Sequence, residues 1–587
     1  MFAFFLLSSL AGMPQVVIQG SVRDSKTKEP LPFCSIASKS SHLGTITNAD
    51  GVFRIELRSP ADTLVFSYLG YITTAVPSAK LVLSKTVFLE RKAVQLKEVT
   101  VHAKDDFLYD LVDNCRKKLL KDKQPHTSKV YYGLETQARN RPVELLECYY
   151  NGYFDGPSVS HLVLKNGRIG LGELDQRLFL TLNSSKAISG MSLLIRDDHC
   201  PAIPFQFPKC ELKKQFRLEM GDYDDKVYDI KFRPRDDPHQ GFSGEAWIDR
   251  ETFSLIRIDL KVENTPKHPF FPIFPCDTLS QVSLDISHTF RQEGDVMLPD
   301  HISFNYSLLY KSVRDTPTVK IRSIITREIS SGGLLYFYDY GRPFILPYFE
   351  YDNDYDDYRK ISIIPYNDLF WQNNNTLLLT EQQKKDLGFL AHEGYLVNFR
   401  EGNYGKNFLI TGKDDSTISK FYSTFYEFYY TFWSRDNRII LDRSLKQNNP
   451  YKTEIPFHGI ASDLFNLKVQ ILLDVTEVKD SLSCRSYTVF DMKKTFYHLP
   501  DMPLTSAFLN IYFDICEIER QKMEKELGTN NHSLVQIDSI YKKTITGMDE
   551  VTRRYLREVQ AGKNKEAMVA WNRYVITNLG IDNLSLQ

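Results

Sequence analysis

A histidine next to a glutamate is the pairing in this chain that would most directly suggest metal-assisted hydrolysis, and it stands at His392 and Glu393 in LAHEGYL. A zinc helix needs a second imidazole four residues on, so that both rings leave one helix face and the glutamate serves as general base. That position is Leu396, which cannot ligate. HxxE, the first part of a metallocarboxypeptidase zinc site, is absent from the whole sequence. Gly241 to Glu245, GFSGE, lack the second spacing of a nucleophile elbow. The glycines of NGRIGLGEL do not form GxGxxG, and there is no P-loop. In FEYDNDYDDYRK, Asp352, Asp354 and Asp356 alternate as in a calcium loop. Asp357, however, occupies the sixth place, where the loop needs Gly, and Ile363 the twelfth, where it needs a bidentate Glu. The segment is therefore expected to be an acidic, solvated loop. No catalytic, cofactor-binding or metal-binding residue is assigned, and no cofactor is expected.

Composition narrows the partners. The 73 Lys and Arg residues balance 74 Asp and Glu for a formal charge of -1, so no global field draws in nucleic acid or an anionic membrane. At 587 residues the chain exceeds a single core and divides into several domains. Eight cysteines, at 34, 115, 148, 200, 210, 276, 484 and 516, show no metal-type spacing. Cys200 and Cys210, in HCPAIPFQFPKC, are close enough for a loop disulfide, with free thiols as the alternative. MFAFFLLSSLAG, residues 1–12, has the apolar run of a signal peptide and small residues near a cleavage point, and it is too short to span a bilayer. Export is expected, with no transmembrane helix in the mature chain.

The elements around these positions are mostly strands, as 33 Tyr and 38 Phe favour. From Val17 to Val101 short alternating runs, among them VFRIEL and TLVFSY, are separated by turn signals about every ten residues, the pattern of a small β-sandwich. TNADG makes a tight turn at Gly51, and Gly70 marks another. The order GSVRD, EPLPF, GTITNADGVFRI, DTLVFSYLGY, LKEVTV resembles the carboxypeptidase-regulatory-like domain, a transthyretin-like sandwich of about seven strands. That resemblance implies a non-catalytic module of exported, outer-membrane or secreted proteins of the Bacteroidetes type.

Residues 105–330 are expected to hold one helix and a large antiparallel sheet. Leu108, Leu111, Val112, Cys115 and Leu119 recur at helical spacing, and KVYYGLETQ, VELLECYYNGYF, VSLDISHTF and HISFNYSLLY alternate. GEAWIDRETFSLIRIDL is similar to the lipoprotein-carrier half-barrels of the periplasm, which implies a concave face able to hold an acyl chain or peptide; a packed sheet without ligand is the alternative. An aromatic-rich connecting region, 331–436, leads to an α+β domain, 437–587, with strands at NRIILDRSL, NLKVQILLDVTEV and SLSCRSYTVFDMKKTFYHL. Helices follow in TSAFLNIYFDICEIERQKMEKELG, SLVQIDSIYKKTI and NKEAMVAWNRYVITNLG.

The last domain is similar to a bacterial family of zinc-dependent-peptidase-like domains whose buried helix carries HExxH before a Phe-Asp-Ile sequence. Phe513, Asp514, Ile515 and Glu517 match that sequence, but Phe508, Leu509, Asn510, Ile511 and Tyr512 stand where the metal motif belongs. The resemblance thus implies a pseudo-peptidase, and an ordinary buried helix is the alternative. The expected whole is a mainly β protein with a helical C-terminal part. Its expected role is that of a non-catalytic envelope protein that binds or scaffolds a protein, peptide or glycan partner in the periplasm or at the outer membrane. Two alternatives stand beside it: a cryptic hydrolase derived from a degenerate zinc peptidase, and a periplasmic lipid or lipoprotein-carrier-like binding protein.

Overall fold

The computed structural model describes residues 16–585 apart from 42, 58, 60, 93–105, 175–176, 179–181, 222–225, 274–275, 295, 316–321, 352–355, 376, 400–429, 442–463, 480 and 530. The leader, LKEVTV, Asp352 and Asp354 lie outside the described residues. The helices are α1 (Ser78–Leu83), α2 (Asp106–Lys121), α3 (Ser184–Ser189), α4 (Lys209–Gln215), α5 (Asp357–Ile363), α6 (Asp368–Asn373), α7 (Glu381–Glu393), α8 (Thr505–Leu527), α9 (Leu534–Val559) and α10 (Lys565–Leu579). Among the described residues no helix is long and apolar enough to cross a membrane. The chain forms two compact units: Met1–Val163 with Gly170–Pro343 and Asn374–Tyr395, and Leu164–Ile169 with Phe344–Asn373 and Leu396–Gln587.

The first unit begins with a seven-stranded sandwich. Its strands are β1 (Val16–Asp24), β2 (Ser35–Ser38), β3 (Gly44–Ile46), β4 (Val52–Leu57), β5 (Thr63–Ser67), β6 (Thr74–Pro77) and β7 (Thr86–Leu89). They form two sheets, β4-β1-β7 and β3-β2-β5-β6. Alternation supplies the core: in β4, Phe53, Ile55 and Leu57 point inward while Val52, Arg54 and Glu56 face outward. Gly51 closes the TNADG turn at φ +72°, and a Cβ there would lie 2.7 Å from the Val22 carbonyl oxygen. Glycine alone takes that conformation without steric cost.

The same unit holds most of an eleven-stranded sheet in the order β13-β14-β15-β16-β17-β18-β19-β8-β9-β10-β20. These strands are β8 (Pro125–Ala138), β9 (Arg141–Asp155), β10 (Ser158–Leu171), β13 (Phe216–Met220), β14 (Val227–Pro234), β15 (Ser243–Asp249), β16 (Leu255–Thr265), β17 (Thr278–Glu293), β18 (Val296–Asp315), β19 (Arg322–Tyr338) and β20 (Tyr395–Val397). A two-stranded hairpin, β11 (Glu173–Leu174) with β12 (Arg177–Leu178), stands apart from it. Even-numbered residues of β16 to β18, such as Ile258, Leu260, Leu284, Ile286, Ile302 and Phe304, are buried on one face. The chain after β10 covers that face: Ser184 of α3 hydrogen-bonds the Tyr306 hydroxyl at 2.8 Å, and Ile188, Phe205, Phe207 and Leu212 are buried. α2 adds Leu111, Val112, Cys115 and Leu119, with Tyr109 donating to the Phe216 carbonyl at 3.1 Å. Cys200 and Cys210 are both free thiols, so the loop disulfide is not formed. Cys200 is buried behind a turn closed onto Asp197, whereas Cys210 is exposed on α4.

In the second unit, strands β21 (Tyr430–Phe432), β23 (Val469–Val478) and β24 (Ser481–Asp491) form a sheet in the order β21-β24-β23, beside a short pair, β22 (Phe465–Asn466) and β25 (Phe496–Tyr497). α8 packs on this sheet. It is buried from Ala507 to Ile518 and turns outward after Glu519, as its run of apolar then charged residues implies. NRIILDRSL does not begin a strand among its described residues. The Asn510 side chain instead occupies the backbone of Ile439, accepting from its N–H at 2.7 Å and donating to its carbonyl at 3.0 Å. The helix expected at SLVQIDSIYKKTI runs through Gly547 to Val559, and beyond the glycine its apolar face continues with Met548, Tyr555 and Val559 buried. Ser533 and Gln536 form its capping box, and Asn564 and Gly580, at φ +68°, bracket α10. Such caps satisfy the backbone groups that a helix leaves unpaired at its ends.

Candidate functional site

The positions that the sequence singles out for chemistry carry structural roles. Phe508 and Tyr512, which stand where zinc-binding histidines would be, lie against Tyr555 with ring centroids 5.8 and 6.3 Å apart. Asp514, fully buried, accepts from Trp433 Nε1 at 2.7 Å, from Arg438 Nη1 and Nη2 at 2.9 and 2.7 Å, and from Asn583 at 2.8 Å. Glu517 is held by Arg520 and by the Thr488 hydroxyl. Asn510, Asp514 and Glu517 thus fasten α8 to its surroundings, and their polar atoms are committed. His392 and Glu393 are exposed at the end of α7. Asp356 caps α5 by accepting from the Arg359 N–H at 2.9 Å. Gly244 of GFSGE serves the close approach of β15 to β16, since a Cβ there would overlap the Asp259 carbonyl.

One histidine–carboxylate pair is buried in the first unit: His301 Nδ1 and Asp300 Oδ2 are 2.8 Å apart. A nucleophile would have to hydrogen-bond the far side of that ring. The hydroxyl of Thr289, directly across on β17, has no hydrogen-bond partner, and Phe33 of the sandwich lies against the ring at 5.5 Å. The pair is therefore a packed part of the sheet.

What remains open is the second face of the large sheet. Because β16 to β19 and β8 are in register, alternate side chains form rows across the strands. One row runs Lys261, Asp285, Asn305, Gly332, Glu135. The next runs Ser283, Ser307, Ser330, Gln137, with Glu263 beside it on β16. These residues line a groove of about 540 Å³. Gly332 gives it depth at mid-floor: a Cβ there would sit 2.9 Å from the Asn305 amide oxygen. Its neighbour Gly333 faces the other way and leaves room for the Phe304 ring.

The sandwich and α7 bound this floor. Asn48 of the TNADG turn accepts from the N–H groups of Asp50 and Val52 and donates to the Leu378 carbonyl at 3.0 Å. Asp50 accepts from the Glu381 N–H at 2.8 Å, which places a carboxylate at the α7 N-terminus. The helix dipole favours negative charge there. Beyond the floor the face is closed, with Arg257 paired to Asp259 at 2.8 and 3.0 Å beside Tyr68. Burial and the nearby Asp386 hold the Glu135 carboxyl above its usual range, against the Gln383 amide, and Glu135 Oε2 is buried without a hydrogen-bond partner. Partial burial and Asp259 likewise raise the Asp285 carboxyl, opposed by Lys261 and Arg257. Asp285 and Glu135 are separated by three strand spacings, about 14 Å, too far for the paired carboxylates of glycoside hydrolysis. The groove can accept and donate hydrogen bonds along a chain and attract positive charge.

Residues 18–101 match the family model of the CarboxypepD_reg-like domain. A carboxypeptidase-regulatory-like domain is therefore present. No curated protein matches the chain. Among solved structures, a LolA superfamily protein from Nitrosomonas europaea is 12% identical over 39% of this chain and 92% of its own, with a TM-score of 0.16. A DUF1329 family protein from Desulfovibrio piger is 10% identical over 42% and 93%, with a TM-score of 0.17. The MucA/MucB complex structure from Pseudomonas aeruginosa gives 10% over 38% and 92%, with a TM-score of 0.13. Nothing in these comparisons supports the zinc-peptidase resemblance at α8, whose aromatic and hydrogen-bonded packing accounts for the residues that suggested it.

The sequence missed the groove, although its signal was present. In VSLDISHTF and HISFNYSLLY the apolar residues define the strands, while the intervening Ser283, Asp285, Asn305 and Ser307 form the floor.

Proposed function

We propose that this is a non-catalytic binding protein of the bacterial envelope, exported to the periplasm or the outer membrane. In this reading the carboxypeptidase-regulatory-like sandwich walls a groove that holds an extended polar chain. The observation that carries it is the two-row polar floor across β16–β19 and β8, open at Gly332 and bounded by the TNADG turn and α7. Support also comes from the opposite face of the sheet, where a carried acyl chain would need an empty trough. That face is filled by Ile188, Phe205, Phe207 and the strand side chains beneath them. The non-catalytic role is supported by the packing of the His301–Asp300 pair, with Thr289 unengaged across from it.

The test is a binding screen of short peptides and neutral oligosaccharides against the full chain and Gly332→Leu, read by isothermal titration. Ligands of the groove should lose at least about 10-fold in affinity in the variant. Ligands bound equally by both proteins would place the site elsewhere, and turnover of a bound peptide would overturn the non-catalytic assignment.

A further inference from the structure

We propose that the groove selects basic peptides, an extended stretch of about five residues lying across β16 to β8 with a Lys or Arg side chain at each end. This rests on the binding role above and adds the chemistry of the ligand. Three carboxylates, Glu135, Glu263 and Asp285, share the floor with one cation, Lys261, which stands directly across from Asp285 and is paired with Glu263 at 3.3 Å, so the carboxylates still outnumber the cation and Glu135 and Asp285 are the two ends. Asp50 and Asp386 add negative charge beside Glu135 from the sandwich turn and α7. Between the two ends the floor is neutral and hydrogen-bonding, with Asn305, Ser307 and Ser330 around the space left by Gly332. Asp285 and Glu135 lie about 14 Å apart, the distance at ~3.4 Å per step between the first and fifth residues of an extended peptide, whose side chains leave the same face.

The electrostatics point the same way. Both end carboxyls titrate above their usual range, so ionising them costs free energy in the empty groove. A cation at each end recovers that cost. A neutral sugar leaves it in place, and an anion raises it. Binding of a basic peptide should therefore tighten as pH rises through the titration of Glu135, faced by Asp386, Asp50 and Gln383, and of Asp285, faced by Asp259, Lys261 and Arg257.

The experiment is fluorescence anisotropy with end-capped pentapeptides Lys-Ser-Ser-Ser-Lys, Ser-Ser-Ser-Ser-Ser and Glu-Ser-Ser-Ser-Glu, titrated with the full chain. The basic peptide should bind at least about 10-fold more tightly than the neutral one, and the acidic one more weakly still. The double substitution Glu135→Gln with Asp285→Asn should remove that preference and flatten the pH dependence. If the neutral peptide binds as well as the basic one and remains sensitive to Gly332→Leu, the binding role stands and the charge selection is wrong. If only neutral oligosaccharides bind, the peptide assignment is overturned; if nothing binds, both fall.

Discussion

Acidification from about pH 8 to about pH 5 should weaken the large sheet through one residue, His288. Its side chain points to the packed face of β17, 6% exposed, with Nε2 buried and without a hydrogen-bond partner. Burial, with His301 nearby, pulls its pKa down to about 4. In the unfolded chain an imidazole titrates near about 6.5. The unfolded state therefore takes up a proton that the folded state refuses. The stability is present above the unfolded pKa and is lost as pH falls toward the folded one. From these two values the loss is about 2 kcal/mol at pH 5 and about 3 kcal/mol at pH 4. His288→Phe keeps a ring beside Phe290 and removes the titration. Urea unfolding followed by circular dichroism at pH 8 and pH 5 should show the parent losing about 2 kcal/mol more than the variant. Equal losses in the two proteins would refute the assignment of a neutral, unsatisfied imidazole at this position.

Other substitutions test the packing. The Trp571 ring is set edge-on to Tyr555 and Tyr574 and donates to Glu558 at 2.8 Å. Trp571→Ala should cost about 3–5 kcal/mol in the unfolding of the second unit, through the cavity it leaves. The Arg438 side chain that pairs with Asp514 is only 17% exposed. Asp514→Ala strands that guanidinium and should cost about 3–5 kcal/mol by the same measurement. Asn48→Ala frees two turn N–H groups and the Leu378 carbonyl. It should lower stability by about 1–3 kcal/mol and increase amide exchange at the start of α7, which a purely local turn would leave unchanged.

The sandwich was legible because alternation and turn chemistry are local: Phe53, Ile55 and Leu57 announce β4, and Gly51 announces its turn. The same holds for α2, α8 and α10, whose apolar spacing and caps lie within each segment. Asn437 to Leu441 misled because IIL reads as strand, whereas a distant side chain, Asn510, takes the backbone bonds that a ladder would have made. The groove was not legible for a related reason. Glu135, Lys261, Asp285 and Gly332 meet only through the register of β16 to β19 and β8, a property of pairing and not of any one strand. Nor does the sequence say that the TNADG turn serves α7, since Asp50 and Glu381 are joined only by the fold.

The most direct test of the account is the affinity of the full chain and of Gly332→Leu for the same polar pentapeptide, measured by titration alongside thermal unfolding. The added side chain enters the groove floor where only the movable Asn305 amide stands in its way. The account predicts an affinity loss of at least about 10-fold with little change in melting temperature. Unchanged affinity in a folded variant would contradict it.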